Sequence, residues 1–274
     1  GVKQFTWQHA GFSQLNNMLS LDSFTYRHTL ELDSFIARQK YQKDYIRVGS
    51  GPMLIGPVDR RKFMEDSVFQ IGKIKIDRAW FTEYKDKRLP FPEGTIRQLP
   101  VNLVRHIPFK IAADTIQINQ GSVEYTEFNN KTNVAGTIPI RRLDITLLNV
   151  KNHGIRPNDS LRIRVTGYVM DSVWTQLRVR ESYTDSLGGF KMTLRAKPGN
   201  LSVLNPALIP LVSLKLISGE VDTLSLRAVG REYLTIGEME MFYKNLKFRY
   251  LKNGKDEKQR FFSRVMNYIA NNFI

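Results

Sequence analysis

Three stretches of the chain share a pattern that strongly restricts how it can fold: residues 74–81, 116–123 and 214–221. In each, two apolar residues alternate with polar ones, a small residue follows, and the alternation resumes with its parity shifted by one. Because strand side chains point to opposite faces in turn, such a shift would move the apolar set to the wrong face. A β-bulge absorbs one extra residue, and glycine suits it best. Each stretch is therefore predicted to be one bulged strand with a continuous apolar face.

The second and third stretches extend into a longer internal repeat. The Gly-Thr-Ile-Pro-Ile segment at residues 136–140 matches Gly-Glu-Met-Glu-Met at residues 237–241, and residues 150–152 match residues 251–253. Repetition on this scale indicates one supersecondary unit that is used again and packs against its neighbour. A chance similarity between amphipathic strands is the alternative.

Alternation also dominates the rest of the chain. Further strands are predicted at residues 161–165, 177–179, 192–194 and 224–226, each with one apolar and one charged or polar face. This pattern is typical of an antiparallel sheet with water on one side. Two more strands are predicted in the N-terminal part, within residues 23–27 and 45–48.

Helical signals are few and short. Residues 97–106 predict a short amphipathic helix with Pro100 in its first turn. Residues 59–66 predict a single helical turn that is capped by Asp59. The clearest helix is C-terminal, with an apolar face. That face comprises Phe261, Phe262, Val265, Met266, Ile269 and Phe273.

The predicted fold class is therefore mainly β. We expect a long curved antiparallel sheet that forms an open groove, with a short internal helix and a C-terminal amphipathic helix. Residues 1–107 would be an N-terminal β segment with short helices, and residues 108–274 a two-copy β repeat with the C-terminal helix. We expect both parts to share one continuous sheet.

The composition argues against several kinds of chemistry. The chain has no cysteine, so it holds no disulfide and no thiolate site. Its four histidines do not stand at metal-ligand spacing, and it has none of the common catalytic motifs. We therefore predict no enzyme activity, no cofactor and no metal. The net charge of +15 draws anionic partners, but the basic residues are spread widely, which favours a generally basic solvated surface.

Several motifs together resemble the AsmA-like envelope proteins of Bacteroidota. Tyr84-Lys-Asp-Lys-Arg-Leu-Pro90 looks like that family's Tyr-Arg-Asp-Lys-x-x-Pro segment, with Lys85 where arginine is usual. The segment at residues 121–127 looks like its Gly-x-Ile-x-Tyr-x-Glu strand, and residues 237–246 look like part of its C-terminal repeat. The similarity covers roughly residues 45–274. The family's N-terminal membrane helix has no counterpart here, so we expect a piece of a longer, inner-membrane-anchored chain.

The resemblance implies a periplasmic, non-enzymatic protein with an apolar β-groove. Such a groove would bind or conduct acyl chains of phospholipid or lipopolysaccharide between the inner and outer membranes, in outer-membrane biogenesis. The family brings no catalytic residues with it. A structural or scaffolding β domain without a ligand is the alternative, and a nucleic-acid-binding module is a further one.

The candidate groove residues are the apolar positions of the repeated strands. They are Ile74, Ile76, Phe81, Ile116, Ile118, Val123, Tyr125, Ile138, Ile140, Leu214, Leu216, Val221, Met239 and Met241. An apolar face must be covered by something. If the sheet closes on itself, these residues are ordinary core, whereas in an open trough they form a binding surface. The sequence leaves both possibilities open.

Overall fold

A computed structural model describes residues 3–94, 98–185 and 189–252 of the chain. Its strands are β1 (Lys3–Ser13), β2 (Met18–His28), β3 (Tyr45–Ser50), β4 (Met53–Val58), β5 (Val68–Asp77), β6 (Trp80–Asp86), β7 (Lys110–Phe128), β8 (Ala135–Lys151), β9 (Ser160–Val169), β10 (Val173–Ser182), β11 (Phe190–Ala196), β12 (Gly199–Asn200), β13 (Leu214–Gly230) and β14 (Thr235–Tyr250). The helices are α1 (Leu32–Ile36), α2 (Arg60–Asp66), α3 (Pro100–Arg105) and α4 (Asn205–Val212), and a 3-10 turn (Leu201–Leu204) precedes α4.

All fourteen strands belong to one sheet, which confirms the mainly β prediction. Several are halves of longer strands: β3 with β4, and β5 with β6, lie end to end and pair with the same neighbours. The pairing is antiparallel except at β7, which runs parallel to β5 and β6. Two antiparallel meanders, β1–β6 and β7–β14, therefore meet at one parallel junction. The predicted boundary near residue 107 falls in the crossover that joins them.

The bulges predicted from the shifted alternation are present. The pairing register of β7 with β8 shifts on both sides of Gly121, and that of β13 with β14 shifts around Gly219. In the first stretch, Arg78 and Ala79 separate β5 from β6. Four residues lie between Ile140 and Ile145 on β8, whereas three lie between their partners, Val169 and Val165, on β9. The extra residue keeps the apolar side chains on one face.

In two of the three copies, the left-handed conformation lies one residue before the small one. Arg78 and Gln120 have φ of 53° and 52°, whereas in the third copy Gly219 itself has φ of 146°. Gly121 is favoured for a different reason. A Cβ there would lie 3.1 Å from the carbonyl oxygen of Ala79 and 3.3 Å from that of Leu143. The small residue thus lets the two neighbouring backbones approach closely.

The helices largely follow the sequence predictions. Asp59 caps α2, since its carboxylate accepts a hydrogen bond from the Lys62 amide at 3.0 Å. Helix α3 begins at Pro100, within the predicted 97–106 segment. Helix α4 was not predicted, because Pro210 interrupts its interior and apolar residues surround it. The predicted C-terminal helix lies outside the described residues.

The main core lies where the crossover helix α3 meets the sheet. Val101 is 1% exposed and packs in one cluster with Ile71, Ala113, Leu161 and Tyr183. These residues come from α3, from strands of both meanders and, in the case of Tyr183, from the residue that follows β10. The core therefore bridges the parallel junction.

Candidate functional site

One face of the sheet carries apolar side chains in rows that cross the strands. The first row lies nearest α3, and its members pair directly from strand to strand. It consists of Leu19, Ile55, Ile74, Ile116, Leu147, Ile163, Val179 and Met192. Since directly paired residues share a face, the first row is a single apolar band.

Two further rows run alongside it on the same face. The second row consists of Leu21, Met53, Ile76, Ile118, Ile145, Val165, Leu177, Leu194, Leu226 and Met239. The third row consists of Phe5, Tyr26, Val48, Phe81, Val123, Ile140, Val169 and Val173. We call the three rows together the apolar face.

Two helical segments cover the apolar face at its ends. Helix α3 packs on the first row, because Ile74, Ile116 and Ile163 join its core cluster. At the other end, a Cβ on Gly136 would lie within 2.9 Å of Pro210 and Leu211 of α4. Among the described residues, no second sheet covers the middle of the face. The side chains of Ile118, Val165 and Leu177 there are half-buried.

An apolar cavity lies where the 3-10 turn meets the sheet. Its volume is about 230 Å³, and Leu194, Leu201, Val221 and Leu224 contribute to its lining. The cavity joins a row residue, Leu194, to the covered end of the face. It shows that the contact between the helical segment and the sheet leaves space for further apolar atoms.

Most of the predicted groove residues lie on this face. Ile74 and Ile116 are in the first row, Ile76, Ile118 and Met239 in the second, and Phe81, Val123 and Ile140 in the third. Tyr125 and Ile138 pair beyond the third row, Leu214 pairs with Tyr250, and Met241 pairs with Leu224. Met239 lies on edge strand β14 and is 63% exposed.

Two of the predicted residues are sealed instead of half-exposed. Leu216 is 7% exposed and Val221 5%. The side chain of Asn205, in the first turn of α4, bonds both backbone groups of Leu216, at 2.7 and 2.8 Å. A charge at either position would therefore disturb core packing.

Strands β9, β10 and β11 match strands predicted from the sequence, but their inward residues are not among the predicted groove residues. Ile163, Val179 and Met192 belong to the first row, and Val165, Leu177 and Leu194 to the second. Their alternation with charged residues was the available signal. They extend the apolar face from one copy of the repeat to the other.

The face becomes polar beyond the third row. The Tyr125 hydroxyl donates to the Glu127 carboxylate at 2.5 Å, and Lys87 approaches the other oxygen of that carboxylate at 2.7 Å. Lys85, whose side chain is 6% exposed, pairs with Asp44 at 2.9 Å. This charged end includes part of the Tyr84–Pro90 motif, so the motif here ties the ends of β6 and β7 together.

A buried carboxylate lies at the opposite, α3 end. Glu181 is 1% exposed, and its Oε2 accepts a hydrogen bond from the Val101 amide at 3.1 Å. Its Oε1 has no hydrogen-bond partner among the described residues. Burial raises the pKa of Glu181, although the Val101 hydrogen bond and the charge of Arg105 act in the opposite direction. The carboxylate anchors the start of α3.

The architecture is thus that of a curved β protein with an extended apolar face. No family model and no curated protein matches the chain. Within the described ranges, no three histidine, cysteine or acidic side chains are grouped so that they could hold a metal ion. None of the helices in the described part of the chain has the length and apolar character needed to cross a membrane.

Proposed function

We propose that this chain is a non-enzymatic cell-envelope segment whose apolar face binds or conducts lipid acyl chains between the inner and outer membranes. The observation that supports it most is the second row, which crosses ten strands from Leu21 to Met239 without a polar residue. Extended apolar surfaces that a protein does not bury mark ligand or membrane contact. The placement in the periplasm and the phospholipid or lipopolysaccharide ligand rest on the AsmA-like resemblance.

Half-burial in the middle of the face supports this proposal over a ligand-free scaffold. Val165 and Leu177 retain exposure although they lie at the centre of the sheet, whereas Val101 and Leu216 are sealed. In a scaffold, central positions gain most from complete burial, at about 25 cal/mol per Å² of apolar surface. An acyl chain would supply the missing cover.

A substitution that introduces a charge at the centre of the apolar face tests the proposal. We expect Leu177→Asp to remain folded and to bind a fluorescent phospholipid at least about tenfold more weakly, since a carboxylate in apolar contact costs several kcal/mol. Ile118→Asp should behave in the same way. The matched control is Gln176→Asp, which places the charge one residue away on the opposite face and should bind normally.

Leu216→Asp provides the comparison at a buried position, and we expect this substitution to unfold the protein. If Leu177→Asp and Ile118→Asp also unfold, the face is closed core and the scaffold function replaces the lipid function. If both variants fold and bind phospholipid as tightly as the parent, the acyl chains do not lie on this face.

A further inference from the structure

The outer face of β9–β11, opposite the apolar face, concentrates cations in one cleft. The cleft has a volume of about 310 Å³, and no acidic residue lines it. Its basic lining residues are Arg162, Arg164, Arg178, Arg180 and Lys191. All five side chains are exposed. We call this group the basic cleft.

The pairing register places these cations directly against each other. Arg164 lies opposite Arg178, and Arg180 lies between Arg162 on one side and Lys191 on the other. Directly opposed residues have their Cβ atoms about 5 Å apart, and like charges at that separation are destabilising. The arrangement therefore weakens the free protein.

Within the described residues, no carboxylate forms an ion pair with these five cations, although Asp185 lines the adjoining cavity together with Arg180 and Lys191. Arg180 donates from Nε to the Ser160 hydroxyl at 3.0 Å. The other four cations have no hydrogen bond or ion pair with any residue in the described ranges. Two cations on other strands do have carboxylate partners: Arg141 pairs with Glu124 at 2.8 Å, and Lys75 with Asp77 at 3.2 Å.

We propose that the basic cleft docks the protein on an anionic lipid bilayer by binding the phosphates of its headgroups. Several anionic groups at once are needed to neutralise cations on three adjacent strands, and a bilayer surface presents such an array. Arginine suits the role because its planar guanidinium binds phosphate in bidentate fashion. The proposal concerns the outer face and does not depend on acyl chains binding to the apolar face.

The structure favours a bilayer over nucleic acid as the occupant. Binding of single strands relies on aromatic side chains that stack on bases, and none lines the cleft. Two aromatic side chains on the outer face, Tyr168 and Trp174, already make cation–π contacts within the protein. Arg142 lies 3.6 Å from the ring centre of Tyr168, and Lys197 lies 4.5 Å from that of Trp174.

Vesicle co-sedimentation tests the proposal directly. We expect the parent to bind mixed vesicles of phosphatidylglycerol and phosphatidylcholine and to release them at high salt. It should not bind vesicles of pure phosphatidylcholine. The double variant Arg164→Gln/Arg178→Gln should bind roughly 30-fold more weakly, about fivefold for each cation. The control Arg38→Gln/Lys131→Gln removes the same charge from exposed sites outside the cleft and should weaken binding less than about twofold.

Three results would overturn the proposal. The first is parent-like vesicle binding by the double variant, and the second is an equal loss in the control, since net charge alone would then act. The third is tighter binding of a single-stranded oligonucleotide than of vesicles at equal phosphate concentration. The double variant should keep its affinity for a fluorescent phospholipid, and Leu177→Asp should keep vesicle docking, so the two proposals fail separately.

Discussion

Two buried carboxylates show how the surroundings of a residue decide its behaviour. Asp86 is 3% exposed and receives three side-chain hydrogen bonds from Arg88, at 2.6–3.1 Å. These bonds lower the pKa of Asp86, against the opposing effect of burial. Glu181 is buried to a similar extent but receives no hydrogen bond from a cation, and burial raises its pKa. The same chemical group is thus held charged in one place and discouraged from ionising in the other.

The raised pKa of Glu181 predicts how the stability of the protein depends on pH. The Glu181 carboxyl binds its proton more tightly in the folded protein than in the unfolded chain, where its pKa is near the ordinary 4.5. Stability should therefore fall as the pH rises through the raised pKa. Glu181→Gln keeps an acceptor for the Val101 amide and cannot ionise. We expect it to be more stable than the parent by about 1 kcal/mol at pH 8, with the difference shrinking towards pH 4.

Urea unfolding at several pH values measures this difference. The exposed Glu220→Gln provides the control and should follow the parent throughout. A constant difference between Glu181→Gln and the parent across the pH range would show that ionisation of Glu181 has no part in stability.

At the scale of a single strand, the bulge at Gln120–Gly121 needs one residue in the left-handed conformation and one small residue. Here two residues meet these needs, although a single glycine could meet both. Gln120 adopts the left-handed conformation, and Gly121 allows the close approach of the neighbouring strands. The Gln120 amide donates to Asp144 at 3.0 Å, so the bulge is fixed by a hydrogen bond from the adjacent strand. The side chain of Gln120 is exposed.

Gln120→Gly should therefore stabilise the protein. A non-glycine residue pays about 1–2 kcal/mol in the left-handed region, while glycine adds entropy to the unfolded chain. We expect a net gain of about 0.5 kcal/mol in chemical unfolding. Gln117→Gly, in regular strand three residues earlier, should lose about 1 kcal/mol. Equal losses in the two variants would mean that Gln120 is not strained.

The strands were predictable because alternation is local, and the bulges because a parity shift is visible within eight residues. The parallel pairing of β7 with β5 and β6 was not, since any two strands with matching apolar faces could be neighbours. Helix α4 was missed because an apolar segment that contains Pro210 gives no amphipathic signal. The opposed arginines of the basic cleft depend on register between strands, which residues 160–192 alone do not specify.

At the scale of the whole molecule, basic side chains and apolar side chains are concentrated on opposite sides of the sheet. The chain carries a net charge of +15, and the basic cleft collects five cations on one side of the sheet. Self-repulsion of this kind favours expansion of the chain. The apolar face lies on the opposite side of the same strands. The sheet therefore separates a surface suited to anions from one suited to hydrocarbon.

Salt should relieve this repulsion. We expect the Tm of the parent to rise between low and high NaCl as the charges are screened. Arg178→Thr should be more stable than the parent by about 0.5 kcal/mol at low salt, since it removes a direct like-charge pair and threonine favours strands. Its gain should shrink at high salt. A salt-independent gain would assign the effect to strand propensity alone.

The parallel junction has a consequence for the order in which the chain acquires its structure. Within each meander, the connections between consecutive partner strands are shorter than the crossover, although two of them, 29–44 and 197–213, are also long. Joining β7 to β5 and β6 requires closure of the 87–109 crossover, which carries a slightly larger entropic cost than the connections within the meanders. Nonlocal pairing of this kind slows folding. We therefore expect the junction to be among the last contacts to form, with the Val101 core that bridges it joining two halves that fold earlier.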